Sequence, residues 1–299
     1  MSIKVYYHAG DMDGWCSGAI VKKFYQDQEI EVEMFPINYG DKFLWEVINP
    51  DDIVYVVDFS LPEEEMIKLG NLLDDGKGEL IWIDHHIGVS SLFEEVKCSG
   101  MFDTSVAACE LTWKYLFDKE VPRFVELLSA YDCWDHSGRI ASWGEIEHFQ
   151  YGFKARATNP KDSTELFWDG WFLFSDLNRE VGTYIKDTIN VGAGIQKYVE
   201  DRFRSELASR SYKIYWEGHK CLVINSDPYI ANFMTRCNEF ADCDIAINYC
   251  NNGGKSWIVN LRTNKKGIDL SEIAKLYKGG GHCGASGFNC RELPFEVLV

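Results

Sequence analysis

The sequence predicts an α/β protein with an N-terminal domain built on a mostly parallel sheet, a helical linker, and a smaller C-terminal α/β domain. Short β-branched or aromatic runs alternate with helix-like segments over the first 90 residues, the pattern of βα units. Two of those runs, at 53–57 and 80–83, are apolar without a break, as strands covered on both faces of a parallel sheet are. Beyond residue 210, strand-like runs reappear after a long helical stretch. The expected divisions are 1–180, 181–210 and 211–299, and a chain of 299 residues suffices for about two domains.

Residues 3–7 read as the first strand, and 14–26 as a helix with Ala19, Ile20 and Phe24 on one face. Residues 30–37 alternate as a half-buried strand, and 53–57 is the buried third. Pro62 followed by Glu63, Glu64 and Glu65 marks a helix start, because proline fits the first turn and carboxylates favour the positive end of the helix dipole. Residues 80–83 form the fourth strand. A helical region over 104–128 is interrupted near Pro122 and leads into Tyr131-Asp-Cys-Trp-Asp135; the Trp- and Phe-rich stretch from there to Phe174 has no assignable period. Residues 181–209 are helical in pattern, with Ile185, Ile189, Ile195, Tyr198 and Phe203 expected inside and Gly192 and Gly194 as weak points. Runs at 213–216, 221–224, 244–249 and 257–261 supply the strands of the second α/β unit.

Composition narrows the function. With 46% hydrophobic and 14% aromatic residues the chain is globular, and disordered or fibrous classes are excluded. No apolar run approaches the ~20 residues that cross a bilayer, so no membrane partner is expected. The N-terminus lacks a basic head followed by an apolar stretch and a cleavage site, so a cytoplasmic location is expected. The ten cysteines have no paired CxxC spacing, and Cys16, Cys109 and Cys221 fall in apolar or helical patterns, which suits reduced core thiols. The net charge of -17 is uneven: residues 211–299 carry ten basic and nine acidic side chains, which leaves -18 on residues 1–210. An acidic first domain argues against a groove for long duplex nucleic acid, whose phosphates need a cationic field. An acidic cluster suits metal ions instead.

His8, Asp11 and Asp13 follow the first predicted strand, Asp58 the third, and Asp84, His85 and His86 the fourth. In an open parallel sheet the carboxyl ends of strands border the ligand crevice, so these seven residues can converge. Oxygen ligands with imidazole suit Mn²⁺, Fe²⁺ or Zn²⁺, and one carboxylate shared by two ions builds a two-metal hydrolytic site. Several carboxylates converging without cations would repel one another strongly. Each piece also has a plainer reading: Asp11-Met-Asp13-Gly as a helix-capping turn, Asp84 as a turn cap, and His85 or His86 as a core histidine. Their collection at three strand ends favours a site. His282 lies in Lys278-Gly-Gly-Gly-His282-Cys-Gly-Ala-Ser-Gly287, read as a glycine-rich loop. Its glycines permit close backbone approach to an anion, and the imidazole places a donor beside it.

Together these residues resemble the DHH phosphoesterases with a C-terminal DHHA1 domain, a RecJ-like family that includes exonucleases, nanoRNases (oligoribonucleases), pAp phosphatases and cyclic-dinucleotide phosphodiesterases. His8-Ala-Gly-Asp11-Met-Asp13-Gly14 is similar to motif I, Val57-Asp58-Phe59-Ser60 to motif II, Asp84-His85-His86 to motif III, and Tyr131-Asp132-Cys133-Trp134 to motif IV. Val259-Asn-Leu-Arg262, the segment 268–274 and Gly279-Gly-Gly-His282 resemble the DHHA1 substrate-binding signature, so the likeness covers most of the chain. It implies one metal held by His8, Asp11 and Asp58 and another by Asp13, Asp58, His85 and Asp132, with Asp58 shared. It also implies that His86 stabilises charge near the substrate, that Asp84 orients motif III, and that His86, Asp58 and Asp84 form the catalytic group. Arg262, Gly280, Gly281 and His282 would grip substrate phosphate. Asp135 competes with Asp132 for the motif IV position, and His136 and His148 receive no role. Lys265, Lys266 and Lys278 read equally as a solvated loop or as an attraction for an anionic ligand.

The implied activity is hydrolysis of phosphodiester bonds of short oligonucleotides to mononucleotides. Its cofactors would be two divalent metal ions, Mn²⁺ by resemblance, with Mg²⁺, Co²⁺ and Fe²⁺ as alternatives. Net acidity favours a short oligonucleotide or small nucleotide substrate over long duplex nucleic acid. Hydrolysis of pAp, of cyclic dinucleotides, and of polyphosphate or pyrophosphate uses the same chemistry and stays open. Cleavage polarity, RNA or DNA preference and oligomeric state, a homodimer included, stay open too. The alternative of a different class is a non-catalytic nucleotide-binding protein, against which the full set of Asp11, Asp13, Asp58, His85 and Asp132 argues. Trp15, Tyr229 and Phe233 are candidates for stacking a base, although most aromatics at this density belong to the core.

Overall fold

The computed structural model describes residues 2–162, 166–177 and 181–297. Two compact units divide the chain, 1–195 and 196–299. In the first, β1 (Ile3–His8), α1 (Met12–Gln26), β2 (Val32–Ile37), β3 (Ile53–Val57), α2 (Glu63–Asp74), β4 (Glu79–Asp84), α3 (Ser90–Glu95) and β5 (Ser99–Phe102) follow in order. After them come α4 (Ala108–Leu116), α5 (Arg123–Asp132), α6 (Trp143–Lys154), α7 (Leu166–Leu177) and α8 (Val181–Arg210), and the division between the units falls inside α8.

The five strands are parallel throughout, in the order β2-β1-β3-β4-β5. From β1 the chain moves outward to β2, and from β3 outward to β4 and β5. The connections leaving β1 and β3 therefore diverge and open a crevice at the carboxyl ends of these two neighbours. Side-chain alternation sorts the strands onto two buried faces. Tyr6, Val54, Val56, Leu80 and Trp82 pack with Met66, Leu69 and Leu73 of α2, while Val5, Tyr7, Tyr55, Val57, Ile81 and Ile83 pack with Val21 and Tyr25 of α1 and Leu111 of α4. The unbroken apolar runs at 53–57 and 80–83 are thus strands covered on both sides.

Helix α1 starts close against β1. A Cβ on Gly14 would lie 2.1 Å from the His8 carbonyl oxygen, so only glycine lets the first turn approach this strand end. The aromatic-rich middle is helical: Phe124, Phe149, Phe153, Trp168, Trp171 and Phe172 from α5, α6 and α7 interlock in one buried cluster. Within α8, Ile185 and Phe203 are buried, Ile189 and Ile195 partly so, and Tyr198 is 71% exposed, which corrects the inward placement of that tyrosine. All ten cysteines are free thiols. Among the described residues no helix is long and apolar enough to cross a membrane.

The second unit contains β6 (Tyr212–Trp216), β7 (His219–Asn225), α9 (Ala231–Met234), β8 (Ile245–Asn252), β9 (Ser256–Arg262), α10 (Leu270–Leu276), β10 (Gly280–His282) and β11 (Ala285–Cys290). Its six-stranded sheet runs β10-β11-β9-β8-β7-β6, antiparallel except for the β7–β8 pair. The segment expected as a glycine-rich loop is a β-hairpin, with Gly280, Gly281 and His282 as an exposed edge strand paired to Gly287, Ser286 and Ala285. Gly281, at φ 132, has a backbone that other residues rarely adopt, and a Cβ there would meet the Ala285 carbonyl oxygen at 2.6 Å.

Asp52 ties the two central strands together at their amino ends. Its carboxylate is 1% exposed and accepts hydrogen bonds from the Ser2 N–H (2.8 Å) and hydroxyl (3.0 Å) and from the Asn49 N–H (2.9 Å). Burial pushes its pKa up, but these donors win and hold it down to about 2. Asp52→Ala is expected to lower unfolding stability by about 2 kcal/mol, read from urea denaturation at neutral pH, since hydrogen bonds to a charged acceptor contribute more than neutral ones. The contribution is full above the unfolded carboxylate range and is lost as pH falls through about 2, so the gap between wild type and variant should close in strong acid.

Candidate metal centre

Every ligand expected in the first unit arrives at the crevice between β1 and β3. His8 is the last residue of β1, and Asp11 caps α1, accepting the Gly14 N–H at 3.0 Å. Asp58 follows β3 directly and turns out of the strand at φ 54, a left-handed backbone in a residue that is 1% exposed. Such a conformation in a side-chain-bearing residue costs about 1–3 kcal/mol and is found where a site dictates it. Asp84 ends β4, with His85 and His86 immediately after, and Asp132 is the last residue of α5.

Three overlapping groups result: His8, Asp11 and Asp58; Asp13, His85 and Asp132; and Asp58, His85 and His86, each with its ligand atoms within 4.8 Å of one another. Asp58 faces both halves. Its Oδ2 lies 3.4 Å from His8 Nδ1, itself 3.0 Å from Asp11 Oδ2, while its Oδ1 lies 3.5 Å from His85 Nε2. His85 Nε2 in turn sits 3.6 Å from Asp13 Oδ2 and 3.3 Å from Asp132 Oδ2. Asp13 is anchored by the Ala108 and Cys109 N–H groups, which donate at 2.9 and 2.7 Å. Asp84 touches none of this cluster's open atoms in that way. Its Oδ1 accepts the His85 and His86 N–H groups and binds His86 Nδ1 at 2.7 Å, so it orients the pair.

The cluster holds more negative charge than it can keep ionised by itself. Burial, then the carboxylates of Asp13, Asp11, Asp132 and Asp84, push Asp58 well above the usual carboxylate range. Burial, then Asp13 and Asp11, do the same to Asp132. Burial pulls His85 down. It opposes the charged form of His86 as well, yet the Asp84 carboxylate prevails and raises that imidazole to about 9. Asp58 Oδ1 and Oδ2, His8 Nδ1 and His85 Nε2 are all buried without a hydrogen-bond partner. Buried polar atoms are normally satisfied. Oxygen and imidazole donors converging without partners are what a divalent cation of the Mn²⁺ or Fe²⁺ type requires, so the residues fit such ions.

Asp135 stands apart, accepting the Ser137 N–H, so Asp132 is the acidic residue that reaches the cluster. His136 stacks on Trp143 with centroids 4.1 Å apart. Trp15 is partly buried against the core, with its indole N–H donating to the Ala9 carbonyl, and Phe233 is buried and offers no face to a base. The Tyr229 side chain lies outside the described residues. In the second unit, Arg262 of β9 pairs in register with Ala285 of β11, which pairs with His282 of β10, so these two candidates occupy neighbouring register positions in that sheet. Sequence reasoning missed Tyr39, whose ring meets His8 at 5.6 Å between centroids. Nor did it assign Cys133, whose Sγ lies 3.9 Å from His85 Nδ1.

A parallel α/β unit with an acidic and histidine-rich crevice, followed by a second mixed-sheet unit, is the arrangement of the DHH phosphoesterases, which the chain resembles in fold and in the order of its motifs. No protein-family model matches it. It is 24% identical over 313 residues to the oligoribonuclease NrnB of Bacillus subtilis, covering 98% of this chain and 74% of that protein. It is 23% identical over 323 residues to the uncharacterized protein R106 of Acanthamoeba polyphaga mimivirus, covering 98% and 70%. The crystal structure of an exopolyphosphatase-related protein from Bacteroides fragilis has the same fold, with a TM-score of 0.50 at 14% identity over 99% of this chain and 88% of that one.

Proposed function

We propose that this chain is a metal-dependent phosphoesterase that hydrolyses phosphodiester bonds of short oligonucleotides to mononucleotides. The observation that carries the reading is Asp58, buried, strained and without a hydrogen-bond partner, with one oxygen toward His8 and Asp11 and the other toward His85. The likeness to an oligoribonuclease over 98% of the chain supports the substrate class. Two divalent ions, Mn²⁺ by preference, would supply Lewis acidity, a water of lowered pKa and neutralisation of phosphoryl charge. His8 and Asp11 with Asp58 Oδ2 would hold one, and Asp13, His85 and Asp132 with Asp58 Oδ1 the other. His86, kept protonated near neutral pH by Asp84 on its Nδ1, has its Nε2 proton available to a phosphoryl oxygen. Arg262, Gly280, Gly281 and His282 are assigned to phosphate binding in the second unit.

His85 can ligate through Nε2 only if its proton sits on Nδ1, where Cys133 Sγ is the neighbour that can accept it. Cys133→Ala is expected to weaken Mn²⁺ binding roughly 10-fold to 100-fold by calorimetry, with Cys133→Ser close to wild type. Unchanged affinity in the alanine variant would remove this role.

The function is tested by Mn²⁺-dependent turnover of a labelled RNA dinucleotide, a five-nucleotide RNA, pAp, a cyclic dinucleotide and pyrophosphate. Preferential release of mononucleotides from the short RNAs is expected. Preference for any of the other three would change the substrate, and metal-dependent binding without turnover would make the chain a nucleotide-binding protein.

A further inference from the structure

Tyr39 lies in the connection after β2, in a turn that the chain fixes firmly. Asp41 Oδ2 accepts the Asn38 N–H at 2.8 Å, the Asp41 N–H donates to the Asn38 carbonyl at 3.0 Å, and Gly40 closes the turn at φ 94. Because Ile37 of β2 pairs opposite His8 of β1, this turn is delivered to the strand end that carries the first ligand. There the Tyr39 ring stands edge-on to the His8 imidazole, with centroids 5.6 Å apart, and leans on Phe59, beside Asp58, at 4.8 Å. Burial, then the charges of Asp84 and Asp58 and, less strongly, Asp11, push its hydroxyl up, against a hydrogen bond with the Ser60 side chain. Yet Tyr39 is 59% exposed, whereas Phe59 beneath it is 3% exposed.

The carboxylates and imidazoles of the cluster suit metal and phosphate, which every phosphoester offers equally. A preference for nucleotides needs a second contact, and the feature common to all nucleotides is the aromatic face of the base. We infer that Tyr39 is the stacking platform for a nucleobase of the substrate, one sugar away from the phosphate at the candidate metal centre. This rests on the phosphoesterase reading and adds the group that the site recognises beside phosphate. Stacking is tolerant of base identity, so the platform selects nucleotides over other phosphoesters without selecting sequence.

The test is calorimetric titration of the full chain, saturated with Mn²⁺, with 5′-AMP and with ribose 5-phosphate. Tyr39→Ala is expected to weaken 5′-AMP roughly 10-fold to 100-fold and to leave ribose 5-phosphate unchanged, while Tyr39→Phe binds both as wild type does. Equal losses for the two ligands, no loss for 5′-AMP, or a loss in Tyr39→Phe as large as in Tyr39→Ala would overturn the inference. So would a drop in Mn²⁺ affinity in Tyr39→Ala, because the ring would then be a support for His8. Neither ligand contains the phosphodiester that the proposed activity cleaves, and the absence of released inorganic phosphate confirms that binding alone is read. Tyr39-dependent 5′-AMP binding in a protein that cleaves none of the phosphoesters would support the platform and sink the phosphoesterase reading alone.

Discussion

Asp58→Asn is expected to raise the stability of the metal-free protein while abolishing both tight Mn²⁺ binding and turnover. Asp58 is buried with neither oxygen hydrogen-bonded, and the carboxylates of Asp13, Asp11, Asp132 and Asp84 all act against its ionised form. Asparagine keeps the shape, removes the repulsion, and is among the residues that tolerate the left-handed backbone held here at φ 54. A gain of about 1–3 kcal/mol in EDTA follows from relieving one buried, unpaired charge, or about 2–4 °C of melting temperature for each kcal/mol in a chain of this size. The pH dependence has a defined sign. Asp58 has its folded pKa raised above the unfolded one, so metal-free wild type loses stability as pH rises from the ordinary carboxylate range toward the raised value. The variant should lose much of that slope. Added Mn²⁺ should raise the melting temperature of wild type and leave the variant nearly unmoved, because both halves of the cluster lose their shared ligand. A variant less stable than wild type in EDTA would make Asp58 a structural residue and remove the main support for the two-metal reading.

The part of this architecture legible in the sequence is the part whose side chains obey a simple period. Strands β3 and β4 read as apolar runs and β1 as a short β-branched and aromatic run broken only by Lys4, and their polar ends stand out because His8, Asp58 and Asp84-His85-His86 interrupt those runs at once. Strand β5 escaped notice because Ser99–Phe102 is a four-residue edge strand, half-buried, with a glycine inside it. Helices α6 and α7 escaped because their aromatics crowd one buried cluster and blur the polar face that reveals an amphipathic helix. The hairpin at Gly280–His282 looked like a loop because glycines carry no facial pattern, and its pairing with Ala285–Cys290 supplies the order that local propensity lacks. Tyr39 was invisible for a different reason. Asn38-Tyr-Gly-Asp41 is an ordinary turn signal, and its closeness to His8 arises from β2 lying beside β1, which no local pattern reports.

Asp13→Ala is expected to have the opposite effect on the metal-free protein, destabilising it by about 2–5 kcal/mol. The residue that precedes helix α4, Ala107, makes no side-chain capping hydrogen bond. Asp13, reaching across from α1, receives the Ala108 N–H on Oδ2 and the Cys109 N–H on Oδ1, at a helix end whose partial positive charge favours a carboxylate. Removing it orphans two buried donors, each costing about 1–3 kcal/mol. Asp13→Asn should recover part of the loss, since one amide oxygen can still accept while the amide nitrogen faces a donor. The comparison to make is the urea midpoint in EDTA for Asp13→Ala, Asp13→Asn and Asp58→Asn. If Asp13→Ala proved neutral there, α4 would have to draw its capping from elsewhere. If all three were destabilising, mutual repulsion could not be the state of the metal-free cluster. Opposite signs would separate two carboxylates that share one crevice: Asp13 is needed to start a helix, whereas Asp58 is held against its own electrostatics and serves only what the cluster binds.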